Sequence, residues 1–290
     1  MFGRTRKIRP VCKDRLILEF LESRVLLSST PSLPEISGAE VGSAEIAAAA
    51  AAPGGYNASD WAIITAAGIN GFTQTWTRIN GELRLTTISM RDKNLQGDLD
   101  LSGLTALHTL WLDRSIQFIG NQLTSLDVSG CVALRTIYCS YNQLTSLNID
   151  GCTALQILYC TNNKLTSLDV SGCTDLRGLS CDNNQLTSLD VSNCTALRSL
   201  QCSHNQLTSL DVSGCTALQT FTCSNNRQLT FLNVSGRQLT TLNLSGCTAL
   251  EWLVCNDNQL TTLDVSGFAL SSEMGHPDFH PYNILWSSRC

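Results

Sequence analysis

Apolar and polar positions alternate in a 21-residue phrase that recurs between Leu107 and Leu270, with the form LRSLQCSHNQLTSLDVSGCTA. Leu134, Leu155, Leu176, Leu197 and Leu218 stand 21 residues apart without a slip. The alternation occurs twice in each phrase. Leu200 and Cys202 fall on one side of an extended chain and Ser199 and Gln201 on the other, then Leu210 and Val212 oppose Ser209 and Asp211. Both stretches carry the period-two signature of a strand buried on one face, and the Ser-Gly or Ser-Asn that follows supplies turn chemistry. One such coil has no second layer to cover its leucines. It buries them only by stacking on neighbours, at roughly 1.5 to 3 kcal/mol per side chain, so the core is long, thin and continuous.

The irregular steps locate insertions and ends. From Leu107 to Leu134 the step is 27, and the extra residues fall within Asp113 to Asn121. From Leu218 to Leu250 it is 32, which a ten-residue half-unit, LTFLNVSGRQ at Leu229 to Gln238, and one residue near Arg227 account for; a local defect in the coil is expected there. Leu85, Ile88 and Met90, followed by LDLSGLTA, read as an earlier, degenerate unit, giving about eight coils over residues 85–270. Ahead of them, Ser59 and Asp60 can cap a short helix through Trp61, Ile64 and Ala67 that Gly68 ends. TQTWTRI and ELRLTTI flank Asn80-Gly81, a strong hairpin signal. Residues 57–84 are therefore expected to cap the first coil. Residues 271–290 carry no recognisable helix or hairpin, and Phe279, Tyr282 and Trp286 are expected to improvise the far cap.

Charge and the N-terminus narrow the function classes. Seven of the 19 Lys and Arg lie in the first 24 residues, so the remaining body is acidic and lacks the basic stripe that nucleic acid needs. No apolar run approaches a membrane span. Residues 1–29 have a basic start, but Glu19, Glu22 and Arg24 interrupt the stretch that an ordinary signal peptide would need. Residues 30–56, rich in Ala, Pro, Gly and Ser, read as a flexible linker. Leu21 to Ser28, LESRVLLS, resembles the LEPR-XLL motif of large exported proteins of planctomycete-type bacteria, with Ser23 where that family has proline. The resemblance implies export to the envelope or beyond.

The repeated phrase L-x-x-L-x-C-x-x-N-x-L-T-x-L-D-V-S resembles the bacterial leucine-rich repeats of internalin-like surface proteins, in the subgroup where cysteine replaces a strand leucine to form a cysteine ladder. The turn after DVS departs from it, carrying cysteine where asparagine is frequent. The period and the resemblance imply a leucine-rich repeat solenoid (horseshoe), mostly parallel β, with two short strands per coil and a small helix and hairpin cap. They imply display of a surface to a protein or glycan.

Of the 14 cysteines, Cys139, Cys160, Cys181, Cys202, Cys223 and Cys255 fill an inward strand position, and Cys131, Cys152, Cys173, Cys194, Cys215 and Cys247 fill a turn position. In each file the side chains point in parallel about 4.8 Å apart, so lone buried thiols are expected rather than a disulfide framework. Isolated S–S bonds remain open in the second, more exposed file. No zinc-type cluster is spaced along the chain, and no metal or cofactor is expected.

Asn142, Asn163, Asn184, Asn205, Asn226 and Asn258 read as structural, satisfying backbone groups of adjacent coils. The outward acids Asp127, Asp169, Asp190, Asp211 and Asp264, interleaved with Asn148, Asn233 and Asn243, read as solvated consensus rather than a calcium site. The binding candidates lie on the outward side of the first strand. Trp111, Tyr138 and Tyr159 share one position in three successive coils, with Arg135, Arg177, Arg198, Tyr141 and His204 nearby. Aromatic and Arg side chains dominate interface energetics, although aromatics in a row also strengthen a sheet. His108, His204, His276 and His280 pair with no nucleophile, and HPDFH reads as ordinary tail. A non-enzymatic recognition protein is expected, secreted or on the envelope, that binds a protein through the inner face, with glycan binding or self-association as alternatives.

Overall fold

The computed structural model describes residues 54–69, 72–114, 120–261, 263 and the strand Ile284–Leu285. The N-terminal segment with its export-like motif, the linker up to residue 53, Asp264 and the aromatic and histidine residues of the tail lie outside the described residues.

An α-helix, Ala58–Ala66, opens the described chain. Its N-cap is Asn57, whose Oδ1 accepts the Asp60 N–H at 3.1 Å, rather than the expected Ser59 or Asp60. Asp60 has another role. It is 1% exposed, pairs with Arg84 at 2.8 Å and accepts the Leu85 N–H at 2.9 Å, tying the helix to the first coil. Thr73–Ile79 and Glu82–Ser89 form the hairpin, and Asn80 and Gly81 both adopt positive φ, as a type I′ turn demands.

The two hairpin strands begin an eight-stranded sheet. After the second come Thr109–Trp111, Thr136–Tyr138, Ile157–Tyr159, Gly178–Ser180, Ser199–Gln201 and Thr220–Thr222, all parallel and in register at one strand per coil. The body is a parallel-β solenoid of about eight coils of about 21 residues, as the leucine spacing predicts. Leu134, Leu155, Leu176, Leu197 and Leu218 are all buried in one continuous core.

The second strand is less regular than the first. It forms a ladder at Gln96–Asp100, Gln122–Asp127 and Ser146–Asn148, and again from Ser209–Asp211. Between them, residues 167–169 and 188–190 are not strand, although Leu168, Val170, Leu189 and Val191 are buried. The N–H groups of Leu165 and Leu186, which lead into these stretches, go to the carboxamides of Asn184 and Asn205, as those of Leu144 and Leu207 go to Asn163 and Asn226 where the strand does form.

The half-unit at 229–238 leaves the backbone stacking unbroken. It takes the second-strand place of its own coil, so the next half, 239–249, stacks on 218–228, and Trp252–Val254 stacks on Phe231–Asn233. Backbone bonds stay regular across the junction, with Val234 N–H to Val254 at 2.8 Å and Asn225 N–H to Ser245 at 2.7 Å. Each half of the phrase presents the same apolar spacing, so halves are interchangeable. The consequence is a phase inversion: first-strand residues beyond Gln238 lie on the second-strand face. Ile284–Leu285 then pairs in parallel with Trp252–Val254, a strand that the tail sequence did not announce.

Candidate functional site

Trp111, Tyr138 and Tyr159 stand in register on adjacent strands. Trp111 and Tyr138 stack with centroids 4.0 Å apart and planes at 8°, while Tyr159 meets Tyr138 edge-on at 5.2 Å and is 40% exposed. Parallel pairing at a fixed position in each coil is what lines the rings up. Burial and the neighbouring Tyr159 push the Tyr138 hydroxyl up from its ordinary range.

One end of this strip is closed from within. The Arg91 guanidinium lies over the Trp111 ring, 3.9 Å from its centroid, and is gripped by Asp113 through Nε at 2.6 Å and a terminal nitrogen at 3.2 Å. The other end is open. Beside Tyr159 a shallow hollow of about 390 Å³ is lined by Ser140, Tyr141, Thr161, Ser180, Asp182 and Gln201. Ser180, the register partner of Tyr159, is buried, with its hydroxyl bonded to Thr161 at 2.8 Å and to Gln201 at 2.9 Å. The aromatic row stops where this small residue begins.

The remaining candidates divide between the two ends of the strands. Tyr141 joins the hollow, 46% exposed, with the Arg114 guanidinium 4.6 Å from its ring centroid. It follows the strand in the turn position that Asn162, Asn183, His204 and Asn225 also fill, all at positive φ, and His204 contacts Asn225 at 3.2 Å. Arg135, Arg177 and Arg198 precede their strands and are exposed, so they line the opposite margin from Tyr141 and His204. The structure thus groups Tyr141 with the strip and leaves His204 and the arginines around it. Sequence reasoning missed Arg91, Asp113, Ser180 and Asp182. Arg91, Asp113 and Asp182 share one place in the coil, six residues after Leu85, Leu107 and Leu176, a signal that was readable.

Other recurrent polar residues have internal roles. The carboxamide of Asn184 accepts the Leu165 N–H at 3.0 Å and donates to Cys160 and Cys181 carbonyls at 3.1 and 3.0 Å, and its ladder mates repeat the pattern. Asp127, Asp169, Asp190 and Asp211 each accept the N–H two residues on, as do Asn148, Asn233 and Asn243. Hydrogen bonds from Ser171 and Ser192 hold Asp169 and Asp190 below the usual carboxylate range. Among the described residues no three His, Cys, Asp or Glu gather as a metal site would need.

The twelve described cysteines carry no disulfide and are all buried. The turn file is as closed to solvent as the strand file, correcting the expectation that it is more exposed, although it lies nearer the surface: Cys131, Cys152 and Cys215 fold inward and donate to carbonyls of the preceding coil at 3.3 Å. Burial pushes Cys139, Cys152, Cys173 and Cys215 up to about 12 and Cys131 and Cys194 to about 11, so these thiols are inert nucleophiles.

A sequence profile described as Leucine Rich repeats (2 copies) matches residues 153–194 and again 195–236. The solenoid is built of leucine-rich repeats. The chain is similar to the functional domain of InlJ from Listeria monocytogenes, described as including a cysteine ladder, at 33% identity over 63% of this chain and 46% of that one, with a TM-score of 0.37. It is similar also to a leucine-rich repeat protein of Leptospira interrogans, at 23% identity over 55% and 51%, and to internalin C2 of Listeria monocytogenes, at 19% over 63% and 90%, both with TM-scores of 0.37. The match spans about half the length of the first two. No curated protein sequence matches the chain. Among the described residues no helix of this leucine-rich repeat protein is long and apolar enough to cross a membrane.

Proposed function

We propose that this leucine-rich repeat protein is a non-enzymatic recognition module that binds a protein partner through the first-strand face, at the strip of Trp111, Tyr138 and Tyr159. The observation that carries this reading is the strip itself, three aromatic rings in register ending in an exposed Tyr159 beside an open hollow. Rigid aromatic side chains give large contact area at small entropic cost, and interface energy concentrates on them. Tyr141, Arg135, Arg177, Arg198 and His204 would form the surrounding rim. The LEPR-XLL-like segment at Leu21 to Ser28 supports a secreted or envelope location.

The test is an array of proteins and glycans probed with the full chain and with a W111A/Y138A/Y159A variant. Protein ligands that bind the parent and lose the variant, with circular dichroism unchanged, are the expected result. Retained binding places the contact elsewhere. Capture of glycans alone replaces the protein reading with a lectin-like one, and growth in light scattering with concentration replaces it with self-assembly.

A further inference from the structure

The two ends of the aromatic strip are built from the same parts, and only one is complete. At the closed end, Trp111 carries a guanidinium on its face, and the carboxylate of Asp113 holds the fork of that guanidinium. At the open end, Tyr159 supplies the ring and Asp182 the carboxylate, at the same place in its coil as Asp113. Among the described residues no Lys or Arg is seen paired with Asp182, and the Arg114 guanidinium lies on the Tyr141 ring instead.

Resting on the recognition reading above, we infer that the hollow beside Tyr159 is a subsite for an arginine side chain of the protein partner, with the guanidinium against the Tyr159 ring and its N–H groups on Asp182. Asp182 is oriented for this: one carboxylate oxygen already accepts the Ser203 N–H at 2.6 Å, which fixes the side chain and leaves the second oxygen for a ligand. Burial pushes its carboxyl up from the ordinary range, with His204 opposing, so a cation arriving there relieves a charge that the coil has partly dried. Ser180 keeps the hollow open, because a ring at that position would stack on Tyr159 as Tyr138 stacks on Trp111. Gln201 and Tyr141 complete the lining with further polar and aromatic contact. The body of the chain is acidic, which favours a partner presenting a basic side chain.

N-acetyl-arginine amide and its neutral isostere N-acetyl-citrulline amide, titrated against the full chain and followed by saturation-transfer NMR and the Tyr159 ring shifts, test this. Arginine should bind about tenfold more tightly than citrulline, the scale of a charge-assisted hydrogen bond. D182N, which keeps the acceptor for Ser203, should erase that preference, and S180Y, which fills the hollow, should remove binding of both. Equal affinities, or an arginine preference that survives D182N, would overturn the subsite. Methyl glucoside binding at Tyr159 without any arginine preference would overturn it in favour of a carbohydrate. If array ligands lose the triple alanine variant but bind D182N unchanged, the recognition face stands and the arginine subsite falls.

Discussion

The carboxamide nitrogen of Asn258 donates to the backbone carbonyl of Val234 at 2.8 Å, 24 residues back. At Asn163, Asn184, Asn205 and Asn226 the equivalent acceptor is a strand cysteine, as Asn226 uses Cys202 at 3.0 Å. Asn258 has thus moved into the file of the turn cysteines, and Cys247 into the file of the asparagines, where it donates to Cys223 at 3.3 Å. One rule carries across the inversion: the residue eight after the first leucine of a half-coil, Asn226 after Leu218 and Cys247 after Leu239, donates to a carbonyl of the coil before.

At the inversion the donor is Arg237. Its guanidinium reaches Val212 at 2.9 Å and Gly236 at 3.1 Å, is 8% exposed, and leaves Nε without a partner. A buried, unpaired charge is a costly way to supply one donor. Arg237→Asn should therefore raise the stability of the last coils by about 1 to 3 kcal/mol, since asparagine performs the task at the next rung without the charge. Hydrogen exchange of Val234 and Val254 amides measures it, and faster exchange in the variant would show that the guanidinium is not replaceable.

Asn184 offers the converse case. Replacing it by Ala orphans the buried Leu165 N–H, while the carbonyl of Cys160 keeps the carboxamide of Asn163 at 2.9 Å. The expected loss is about 1 to 3 kcal/mol per group left unpaired, before any relaxation. Chemical denaturation should show it as an earlier midpoint, concentrated in the flanking coils because each coil contacts only its neighbours. A neutral outcome would mean that water enters and satisfies the Leu165 N–H.

The coil, its period and the aromatic row were legible because the repeat runs without a slip from Leu134 to Leu218, so residues such as Tyr138 and Tyr159 meet wherever strands stack in register. What was not legible depends on distance across the coil rather than along it. The pairing of Asp60 with Arg84 turns a credible cap residue inward, and nothing local to Asn57 marks it as the cap instead. The hollow is equally hidden, because it is made by the smallness of Ser180 against Tyr159, a contrast that a list of conspicuous residues passes over.

Ionisation of the thiols sets an alkaline limit. The folded coils hold Cys139, Cys152, Cys173 and Cys215 near 12 by burial, and burial also raises Cys160, Cys181 and Cys202 well above their usual value. The unfolded chain ionises its thiols from about 8.5. These groups therefore favour the folded state fully below about pH 8.5, and the advantage is lost as pH rises from there towards the folded values, by about 1.4 kcal/mol per unit for each thiol. Urea midpoints measured between pH 7 and 10 should be flat at first and then fall, and a C160A/C181A variant should fall less steeply. An unchanged slope in that variant would sink the attribution.

Cys223 and Cys247 should behave unlike the rest. The phase inversion brings a strand thiol against a turn thiol, and the hydrogen bond between them favours a single shared proton, lowering Cys247 to about 7 while Cys223 is held well above its usual value. Iodoacetamide applied to the native protein at pH 8 should label Cys247 before any other described cysteine, read by peptide mass spectrometry. Deleting residues 229–238 restores the ordinary stacking order and should abolish that selectivity while leaving a folded solenoid. Uniform labelling in the parent chain would show that burial outweighs the pairing.

Tyr141 stands where its counterparts are Asn162, Asn183 and Asn225, at φ of 59°. Asparagine tolerates that left-handed conformation and tyrosine does so at a cost of order 1 kcal/mol. The strain is retained at a residue that lines the hollow and is 46% exposed. Tyr141→Asn should therefore stabilise the solenoid by about 1 kcal/mol, the strain released, while weakening ligand binding at the strip. Thermal unfolding and the array measurement together check the opposition of the two effects. If the substitution raises stability and leaves binding intact, Tyr141 is only a stacking partner of Arg114; if it lowers stability, the Arg114 contact outweighs the backbone strain.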